Sequence, residues 1–396
     1  MKSISQYIQG DKGIWGIVAL LALFSFLPVY SSSSNLAYHY AEGNTFSYLL
    51  KHFMHLVIGF VILYAVHKVP FRYFKGLSKI FLPFVFILLV LTMAEGTTID
   101  GANASRWLRV PVVGLTIQTS ILAGVVLMVY VAGYLARTKD KAITFKESLL
   151  FLWLPVFVIL GLVLPANFST TAIFFAMVVM LVFIGGYPLK YLGIILGIGM
   201  LFLMIFVLSA KAFPDAFPNR VDTWISRVEN FSNKDDVESN YQIEKAKIAI
   251  ASGGVAGLGP GKSVQKNFLP QSSSDFIYAI IVEEWGLIGG IVVILVYVFL
   301  LFRILVVVHK STSLFGKLLV TGVGLPIVFM ALINMAVAVE LFPVTGQNLP
   351  LLSSGGTSIW MTCMALGMVL SVSAKRVVEP KEESEENPLD ILSETI

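Results

Sequence analysis

The chain of 396 residues contains little charge and a single cysteine. Asp, Glu, Lys and Arg together make up 13% of its residues, which is about half of the ~25% typical of soluble domains. Because 28 basic and 24 acidic side chains are too few to cover a protein of this length with a water-facing shell, the composition excludes soluble, disordered, collagen-like and nucleic-acid-binding proteins. The lone Cys363 excludes an intrachain disulfide and leaves the redox compartment open.

The sequence also lacks recognisable sites for metals and nucleotides. Its five histidines are scattered without the spacing of metal ligands. The segment AGLGPGKS resembles a phosphate-binding loop, but Ala256 stands where that motif requires glycine. No convincing internal repeat is present, so nothing favours an inverted-repeat transporter. The informative features are therefore the apolar runs and the polar clusters between them.

Apolar residues make up 57% of the chain and occur in long runs. A helix needs about 20 such residues to cross the hydrocarbon core of a bilayer. The pattern predicts an all-α polytopic membrane protein with about ten transmembrane helices and one large extracytoplasmic loop, in which residues 1–378 form a single membrane domain. We place the spans near residues 13–30, 48–67, 80–95, 115–136, 148–164, 170–186, 191–210, 277–302, 318–341 and 357–374.

The distribution of Lys and Arg predicts the orientation. Outside the long loop 211–276, most of these residues fall on the same side as both termini, while the short loops on the other side hold only Arg106 and Arg109. Because basic loops stay in the cytoplasm, we expect both termini to be cytoplasmic and the long loop to be outside. The acidic segment 379–396 is expected to be a disordered cytoplasmic tail.

Polar residues gather on the predicted outer side, in the segments 95–115, 165–171, 211–276 and 342–357. Transporters usually place ionisable groups near the bilayer midplane, where these spans carry few. The distribution therefore favours a site at the outer membrane face.

Asp275 is the most informative acidic residue of these segments. It directly precedes the eighth span, so it could cap that helix or act as a catalytic base. Lys262 and Lys266 lie upstream and could bind phosphate, and Arg106 beside Trp107 offers a second cation next to an aromatic face that could stack on a sugar. An interfacial anchor is the alternative interpretation of Trp107. The residues alone leave these alternatives open.

Two glycine-rich segments lie in the same outer regions. The first, 253–261, follows a predicted helix over 242–252, and the second is the Ser-Ser-Gly-Gly-Thr-Ser run of 353–358. Glycine permits positive φ and close approach of the backbone. Each segment is compatible with a loop packed under a ligand or with a tight re-entrant turn.

These segments together resemble the SEDS family (shape, elongation, division and sporulation) of bacterial cell-wall polymerases. The resemblance covers nearly the whole chain and is closer to the division branch than to the elongation branch. The matching elements, in order, are GA-x(3)-RW at 101–107, YQ-x(8)-ASGG at 241–254, GPGKSVQK at 259–266, LP-x(4)-DFI-x-A at 269–279, EE-x-G at 283–286 and PVTG-x(2)-LP followed by SSGGTS at 343–358.

The resemblance implies a peptidoglycan glycosyltransferase that polymerises lipid II into glycan strands at the outer face of the bacterial inner membrane during septal synthesis. It also implies a class B penicillin-binding protein as transpeptidase partner, other division proteins and membrane lipid as further partners, and no nucleic acid. The family's essential aspartate corresponds to Asp275. The other residues expected at the site are substrate-binding Arg106, Trp107, Lys262, Gln265, Lys266, Ser353, Ser354, Gly355, Gly356 and Thr357, with Gln118, Asn167, Glu283 and Glu284 in support.

The chain departs from the family pattern at several of these positions. Asn167 stands where the family usually has an aspartate, and Gln347 stands where it has an aliphatic residue. The acid that usually follows Gln118 closely is also missing. These changes put in doubt any metal site or acid relay built on those positions, but they leave Asp275 in place.

The implied reaction is glycosyl transfer with inversion, in which a sugar hydroxyl attacks the anomeric carbon of a lipid-pyrophosphate donor. Because pyrophosphate leaves readily, one base suffices, and Asp275 is the expected base. Arg106, Lys262 and Lys266 are expected to stabilise charge on the phosphates. No cofactor is certain. A divalent cation, Mg²⁺ or Mn²⁺, could share that role, but the sequence shows no dedicated metal ligands.

Three alternatives to septal polymerisation stay open at this point. A lipid II flippase predicts essential polar residues along the whole bilayer depth. A non-enzymatic scaffold for division proteins predicts that Asp275→Asn leaves function intact. Within the family, a role in elongation is the alternative to a role in division.

Overall fold

The computed structural model describes residues 8–40, 45–96, 107–109, 116–139, 141, 143–212, 237–269 and 272–374. Most of these residues are helical. The helices are α1 (Lys12–Tyr40), α2 (Thr45–Lys68), α3 (Phe74–Glu95), α4 (Thr119–Thr138), α5 (Phe145–Val163, with a π-helical turn at Leu149–Trp153), α6 (Phe168–Ile184), α7 (Leu189–Ala212), α8 (Val237–Gly253), α9 (Ile277–Lys310), α10 (Leu314–Ala338) and α11 (Thr357–Ser373). Short 3₁₀ turns at Phe71–Tyr73 and Gln265–Asn267 and an antiparallel hairpin, β1 (Trp107–Arg109) with β2 (Thr116–Gln118), complete the described elements.

A helix occupies each of the ten predicted spans. Seven helices of the described chain are long and apolar enough to cross a membrane, namely α1 to α5, α9 and α10. Helices α6 and α11, with 17 residues each, are shorter, and for the 24-residue α7 the described side chains establish an apolar run over Leu189–Phe202. The prediction of an all-α polytopic membrane protein is confirmed. The crossing by those three helices stays a prediction.

The fourth span begins later than the sequence suggested. Residues Thr116–Gln118, which the predicted span 115–136 includes, form strand β2, and α4 begins only at Thr119. In β2, β-branched Thr116 and Ile117 favour extended backbone, and pairing with β1 satisfies backbone groups that a helix would otherwise satisfy. The predicted boundary was therefore wrong because hydropathy alone does not distinguish a short strand from the first turn of a helix.

The bundle is built around α4 and α10, which bury most of their residues. Helix α2 packs along α11, and the contact is so close that a Cβ on Gly367 would lie 3.0 Å from the carbonyl oxygen of Leu63. Exposed apolar side chains line α2, α3 and α7. Such surfaces are expected where helices meet lipid.

At one end of the bundle, Asp11 joins three helices. Its Oδ1 accepts a hydrogen bond from Ile14 N (3.0 Å), which caps α1, and also one from Arg303 Nε of α9 (3.0 Å). Its own backbone N–H donates to Ser373 Oγ at the end of α11 (2.9 Å). The carboxylate therefore fixes the start of α1 against the ends of α9 and α11.

Three sequence predictions fall outside the described residues: Arg106, the part 213–236 of the long loop and the acidic segment 379–396. The helix expected over 242–252 is confirmed as α8, which packs against α9.

Candidate active site

The serine run before α9 and the Ser-Ser-Gly-Gly-Thr turn before α11 lie directly against each other. Ser354 N donates to the carbonyl oxygen of Ser273 (2.8 Å), and Ser353 Oγ donates to that of Ser274 (2.6 Å). Ser353 Oγ also accepts a hydrogen bond from Leu349 N (2.8 Å), so its position is fixed on both sides. Two segments far apart in sequence, both expected to carry the site, therefore form one surface.

Asp275 lies in this contact. Helix α9 begins at Ile277, and its N-cap is Phe276, which makes no side-chain capping hydrogen bond. Asp275 is therefore not the N-cap of α9, which was one of the two roles that the sequence allowed. Its side chain is partly buried, and its carbonyl oxygen accepts a hydrogen bond from Asn334 Nδ2 of α10 (2.7 Å). Helix α10 thus fixes the main chain that carries the carboxylate.

Asn334 belongs to a buried polar chain that reaches the outer end of α6. Its Nδ2 also donates to the carbonyl oxygen of Gln347 (2.6 Å), and Gln347 Nε2 donates to Thr170 Oγ1 (2.7 Å). Thr170 N in turn donates to Asn167 Oδ1 (3.1 Å), which caps α6. Asn167 and Gln347, two departures from the family pattern, therefore belong to one network that ends at the main chain of Asp275.

The hairpin brings a third outer segment to the same surface. Trp107 pairs with Gln118 across the two strands, and Gln118 N donates to Thr357 Oγ1 (3.1 Å). Thr357 is buried at the start of α11. The Gly-Gly-Thr turn is therefore fixed both by the serine run and by the hairpin that carries Trp107.

His55 of α2 adjoins this turn, and sequence reasoning did not place it there. A Cβ on Gly356 would lie 3.9 Å from His55 Nε2, and Trp360 Nε1 donates to the carbonyl oxygen of His55 (3.1 Å). Gly356 itself has a φ of +53°, a conformation that other residues rarely adopt. Sequence reasoning could have found His55 because it is an ionisable residue inside an apolar span, where such residues are often functional.

Glu283 is fully buried and is surrounded by donors from the glycine-rich loop. Its carboxylate accepts hydrogen bonds from Val264 N (3.0 Å), Gln265 N (3.2 Å), Ser252 Oγ (3.4 Å) and Ser263 Oγ. A buried carboxylate is stable in a protein only when such donors satisfy it. The geometry therefore assigns Glu283 to holding residues 263–265 in place.

Glu284 is buried as well and lies on the other side of the same loop. Its Oε1 accepts hydrogen bonds from Ser31 Oγ of α1 and from Ser263 N (3.4 Å). Lys266 Nζ donates to Ser31 Oγ (3.2 Å) and to the carbonyl oxygen of Gly261 (2.7 Å). Ser31 thus bridges the lysine and the carboxylate. The serines at the end of α1 were not among the expected site residues, although a run of four serines in an apolar helix was a visible signal.

The glycine-rich loop packs into a break in α9. Gly286 has a φ of +68° and a ψ of −171°, which interrupts the helix. An uninterrupted helix would pair the N–H groups of 287 and 288 with the carbonyls of 283 and 284. Here the loop satisfies all four groups, because Leu258 N and Gly259 N donate to the two carbonyls (3.0 and 2.9 Å), and the two N–H groups donate to the carbonyls of 254 and 255 (2.9 and 3.3 Å).

The close approach of loop and helix explains two of the glycines. A Cβ on Gly257 would lie 2.2 Å from the carbonyl oxygen of Glu284, and a Cβ on Gly286 would lie 2.2 Å from that of Val255. Gly261 also has a positive φ, of +78°, but nothing lies within 4 Å of the position of its Cβ. The loop is therefore a tight turn packed against α9 at Gly257 and open at Gly261.

The two halves of the site are joined through the serine run. Ser272 Oγ donates to the carbonyl oxygens of Lys266 and of Ser32 (3.4 Å each). The structure therefore places a partly buried carboxylate, an exposed Lys262 and a partly buried Lys266 on connected segments. A carboxylate can accept a proton from a hydroxyl, and the two ammonium groups can bind an anion, which is the combination that transfer from a phosphorylated donor needs.

Comparisons with known proteins identify the family and the fold. The sequence model of the FtsW/RodA/SpoVE family, described as cell cycle protein, matches residues 11–377. A probable peptidoglycan glycosyltransferase FtsW from Hydrogenovibrio crunogenus is 34% identical over 371 residues, which are 91% of each chain. A protein of the same name from Nitrosococcus halophilus is 29% identical over 368 residues, 92% of each chain.

Two solved structures share the fold. One is a chain from the study "Structural coordination of polymerization and crosslinking by a peptidoglycan synthase complex", with 24% identity, a TM-score of 0.72, and coverage of 92% of this chain and 97% of that chain. The other is the Rod shape determining protein RodA of Thermus thermophilus, with 23% identity, a TM-score of 0.65, and coverage of 93% and 98%. The whole bundle, and not one part of it, is therefore shared with these proteins.

Proposed function

The chain belongs to the FtsW/RodA/SpoVE family of cell cycle proteins, and we infer that it is a peptidoglycan glycosyltransferase of cell division that polymerises lipid II. The identity of 34% with a probable peptidoglycan glycosyltransferase FtsW, over nearly the whole of both chains, supports the activity and the division role. The observation that carries the location of the site is that the turn at 353–357 joins the hairpin to the serine run that directly precedes Asp275.

Asp275 is the proposed general base. The residue is partly buried, and its main chain is fixed by Asn334 and, through the neighbouring serines, by Ser353 and Ser354. Such fixation places a catalytic group in one geometry before the substrate binds, which lowers the entropy lost on reaching the transition state.

The glycine-rich loop forms the proposed phosphate-binding side. Lys262 and Lys266 supply positive charge, and Glu283 fixes the main chain at Gln265 between them. Arg106, which precedes Trp107 of the hairpin, is proposed to add a third cation. Trp107 is proposed to stack on a sugar ring, since aromatic faces pack well on apolar sugar surfaces.

The proposed step forms one bond and breaks one. The 4-hydroxyl oxygen of the acceptor sugar attacks the anomeric carbon of the donor, and the bond from that carbon to the pyrophosphate oxygen breaks. The hydroxyl proton passes to the carboxylate of Asp275, and the negative charge of the leaving lipid pyrophosphate is stabilised by Lys262 and Lys266. A single displacement converts an α-linked donor into a β-linked product.

A resident metal site is not supported by the donor set. No group of three or more His, Cys, Asp or Glu side chains within the described residues could hold a metal ion. We therefore assign no step to Mg²⁺ or Mn²⁺. The polymerisation assay, run with and without these cations, tests whether the reaction requires one.

The setting is proposed to be the inner membrane, with both termini in the cytoplasm and the site at the outer face. The positive charge of the loops on the side opposite the site supports this orientation. The proposed partner is a class B penicillin-binding protein. The similar fold of a chain from a peptidoglycan synthase complex that couples polymerization to crosslinking supports a partner of that kind.

The experiment is polymerisation of lipid II by the purified full chain, with and without the transpeptidase. Wild type, Asp275→Asn and the control Glu340→Gln are compared. Glu340 forms an exposed ion pair with Lys247 (2.5 Å) outside the proposed site. We expect glycan strands from wild type and from the control, and a loss of about 100-fold or more for Asp275→Asn.

Each other outcome has a definite meaning. Equal polymer from Asp275→Asn would show that the base lies elsewhere while leaving the enzyme assignment intact. No polymer from wild type, even with its partner, would contradict the enzyme assignment, and transport of lipid II across vesicles would then be measured.

A further inference from the structure

A basic cavity lies at the end of the bundle opposite to the candidate active site. It has a volume of about 440 Å³ and is bounded by the end of α4, the segment that leads into α5, and the turn between α6 and α7. The proposed catalytic segments meet the other ends of α4 and α6. Its lining includes Leu135, Lys139, Lys141, Tyr187, Lys190 and Tyr191.

Three ammonium groups line this cavity without an acidic side chain among the described lining residues. Lys139, Lys141 and Lys190 are all exposed. Glu147, on the segment that enters α5, is engaged by the N–H and hydroxyl of Thr144 in a capping box (3.3 and 2.9 Å). Asp140, between two of the lysines in sequence, lies outside the described residues. The concentration of like charge in one concave site favours a bound anion.

The backbone around the cavity combines the N-terminus of α7 with the C-terminal ends of α4 and α6, so the lysines carry most of the preference for an anion. Helix α7 begins at Leu189, so Lys190 lies in its first turn, where unpaired N–H groups and the helix dipole attract anions. Tyr187 is buried and donates its hydroxyl to Ser148 Oγ (2.6 Å), which fixes that wall of the cavity. The adjoining Gly186 has nothing within 4 Å of its Cβ position, so this part of the rim is open.

The surface next to the cavity is apolar. Phe183, Ile184 and Leu189 flank the turn and are 61%, 52% and 65% exposed. On a helix that meets lipid, such side chains contact acyl chains. A ligand that combines a phosphate with an apolar tail therefore matches both parts of this region, whereas a free phosphate matches only the cavity.

We propose that this cavity binds the phosphate headgroup of an anionic phospholipid whose acyl chains lie along the start of α7. Basic cavities between helices at the membrane surface recognise such headgroups. The assignment to the cytoplasmic leaflet rests on the proposed orientation of the chain, but binding itself does not, and neither depends on the polymerase activity.

The test measures binding of tail-labelled fluorescent phosphatidylglycerol to the full chain in neutral detergent micelles. The variant Lys139→Gln/Lys141→Gln/Lys190→Gln is compared with wild type. The matched control carries the same loss of charge at exposed lysines outside the cavity, Lys79→Gln/Lys310→Gln/Lys317→Gln. We expect the cavity variant to bind at least about tenfold more weakly and the control to change by less than about twofold.

Two further arms identify the source of the phosphate. Unlabelled phosphatidylglycerol should displace the probe, while inorganic phosphate at millimolar concentration and phosphatidylcholine should not. The triple Lys→Arg variant at the three cavity positions should bind like wild type, because it keeps the charge. Since all three lysines are exposed, the variants are expected to fold, which the elution volume and the thermal midpoint check.

Three results would overturn the proposal. If the cavity and control variants weaken lipid binding equally, the effect comes from diffuse surface charge and not from the cavity. Unchanged binding in the cavity variant would place the lipid elsewhere. Full displacement by inorganic phosphate would make the cavity a site for soluble anions.

Discussion

Two acidic regions at the start of α9 differ in how completely the protein surrounds them. Glu283 and Glu284 are 0% and 1% exposed, and donors from the glycine-rich loop and from α1 contact their carboxylates. Asp275 is partly exposed, and Asn334 of α10 donates a hydrogen bond to its main-chain carbonyl oxygen. An acidic residue near a site is therefore not enough to assign chemistry. The first region holds the loop through fully buried carboxylates, whereas the second carries the proposed base on a residue that is only partly buried.

The sharpest test of this contrast is the same substitution in both regions. Glu283→Leu removes the acceptor for Val264 N, Gln265 N and Ser263 Oγ, and we expect it to lower the free energy of unfolding by about 3–5 kcal/mol. Asp275→Leu should lower it by less than Glu283→Leu does, because Asp275 is only partly buried, while abolishing polymerisation. Denaturant titration in detergent and the lipid II assay measure the two quantities. A stable and active Glu283→Leu protein would remove the distinction between the regions.

A second prediction separates packing from backbone conformation within the glycine-rich loop. Gly257 and Gly261 have similar φ values of +84° and +78°, but only Gly257 lies against α9. We expect Gly257→Ala to lower the free energy of unfolding by about 3 kcal/mol, because its Cβ would overlap the carbonyl oxygen of Glu284. Gly261→Ala should lower it by about 1 kcal/mol, the strain of positive φ alone. Equal losses in the same titration would show that the loop does not pack into the helix break.

A third prediction concerns the fixation of Asp275 by α10. Asn334→Leu replaces the amide that donates to two carbonyl oxygens by an apolar side chain of similar size, which introduces no buried charge. We expect kcat for polymerisation to fall about tenfold, which corresponds to about 1.4 kcal/mol, while KM for lipid II changes by less than about twofold. The contrasting variant is Asn334→Ser, which keeps a donor but is shorter and should be intermediate. Equal changes in kcat and KM would indicate a general structural defect instead of misplacement of the base.

The smallest expected effect is at the far end of the same network. Gln347→Leu removes the hydrogen bond to Thr170 Oγ1 but leaves the carbonyl oxygen that Asn334 contacts. We expect the free energy of unfolding to fall by about 1 kcal/mol, because the buried Thr170 Oγ1 loses this donor while an apolar residue of similar size fills the space. Polymerisation should stay within about twofold of wild type. A larger loss of activity would extend the positioning network from Asn334 to Gln347.

Much of the fold followed from the sequence because hydropathy is a local property. All ten apolar runs are helical, and the helix over 242–252 is present. The hairpin at Trp107 and Gln118 was not predicted, because its strands have three residues each, too few for a visible alternation. The start of α4 was misplaced for the same reason.

The candidate site was predictable only in part. Asp275 was singled out by its position before the eighth span, its role as the base came from the family resemblance, and the structure adds which residues hold its main chain. Asn334, Ser31 and His55 were missed because their roles depend on contacts between residues far apart in the chain. Glu283 and Glu284 were expected to support the site. That they hold the loop could not be read from a sequence pattern, because it requires the loop to fold back onto a break in α9.

The break at Gly286 has a mechanical consequence. Because the glycine-rich loop binds the free backbone groups on both sides of the break, the bend cannot straighten or flex without rupturing four hydrogen bonds at once. The bend is therefore rigid and does not act as a hinge. Asp275 precedes the short part of α9 before Gly286, and Lys266 belongs to the loop that binds the backbone at the break. A protein that tilts the long, apolar part of α9 would therefore displace the proposed base and the proposed phosphate-binding lysine together.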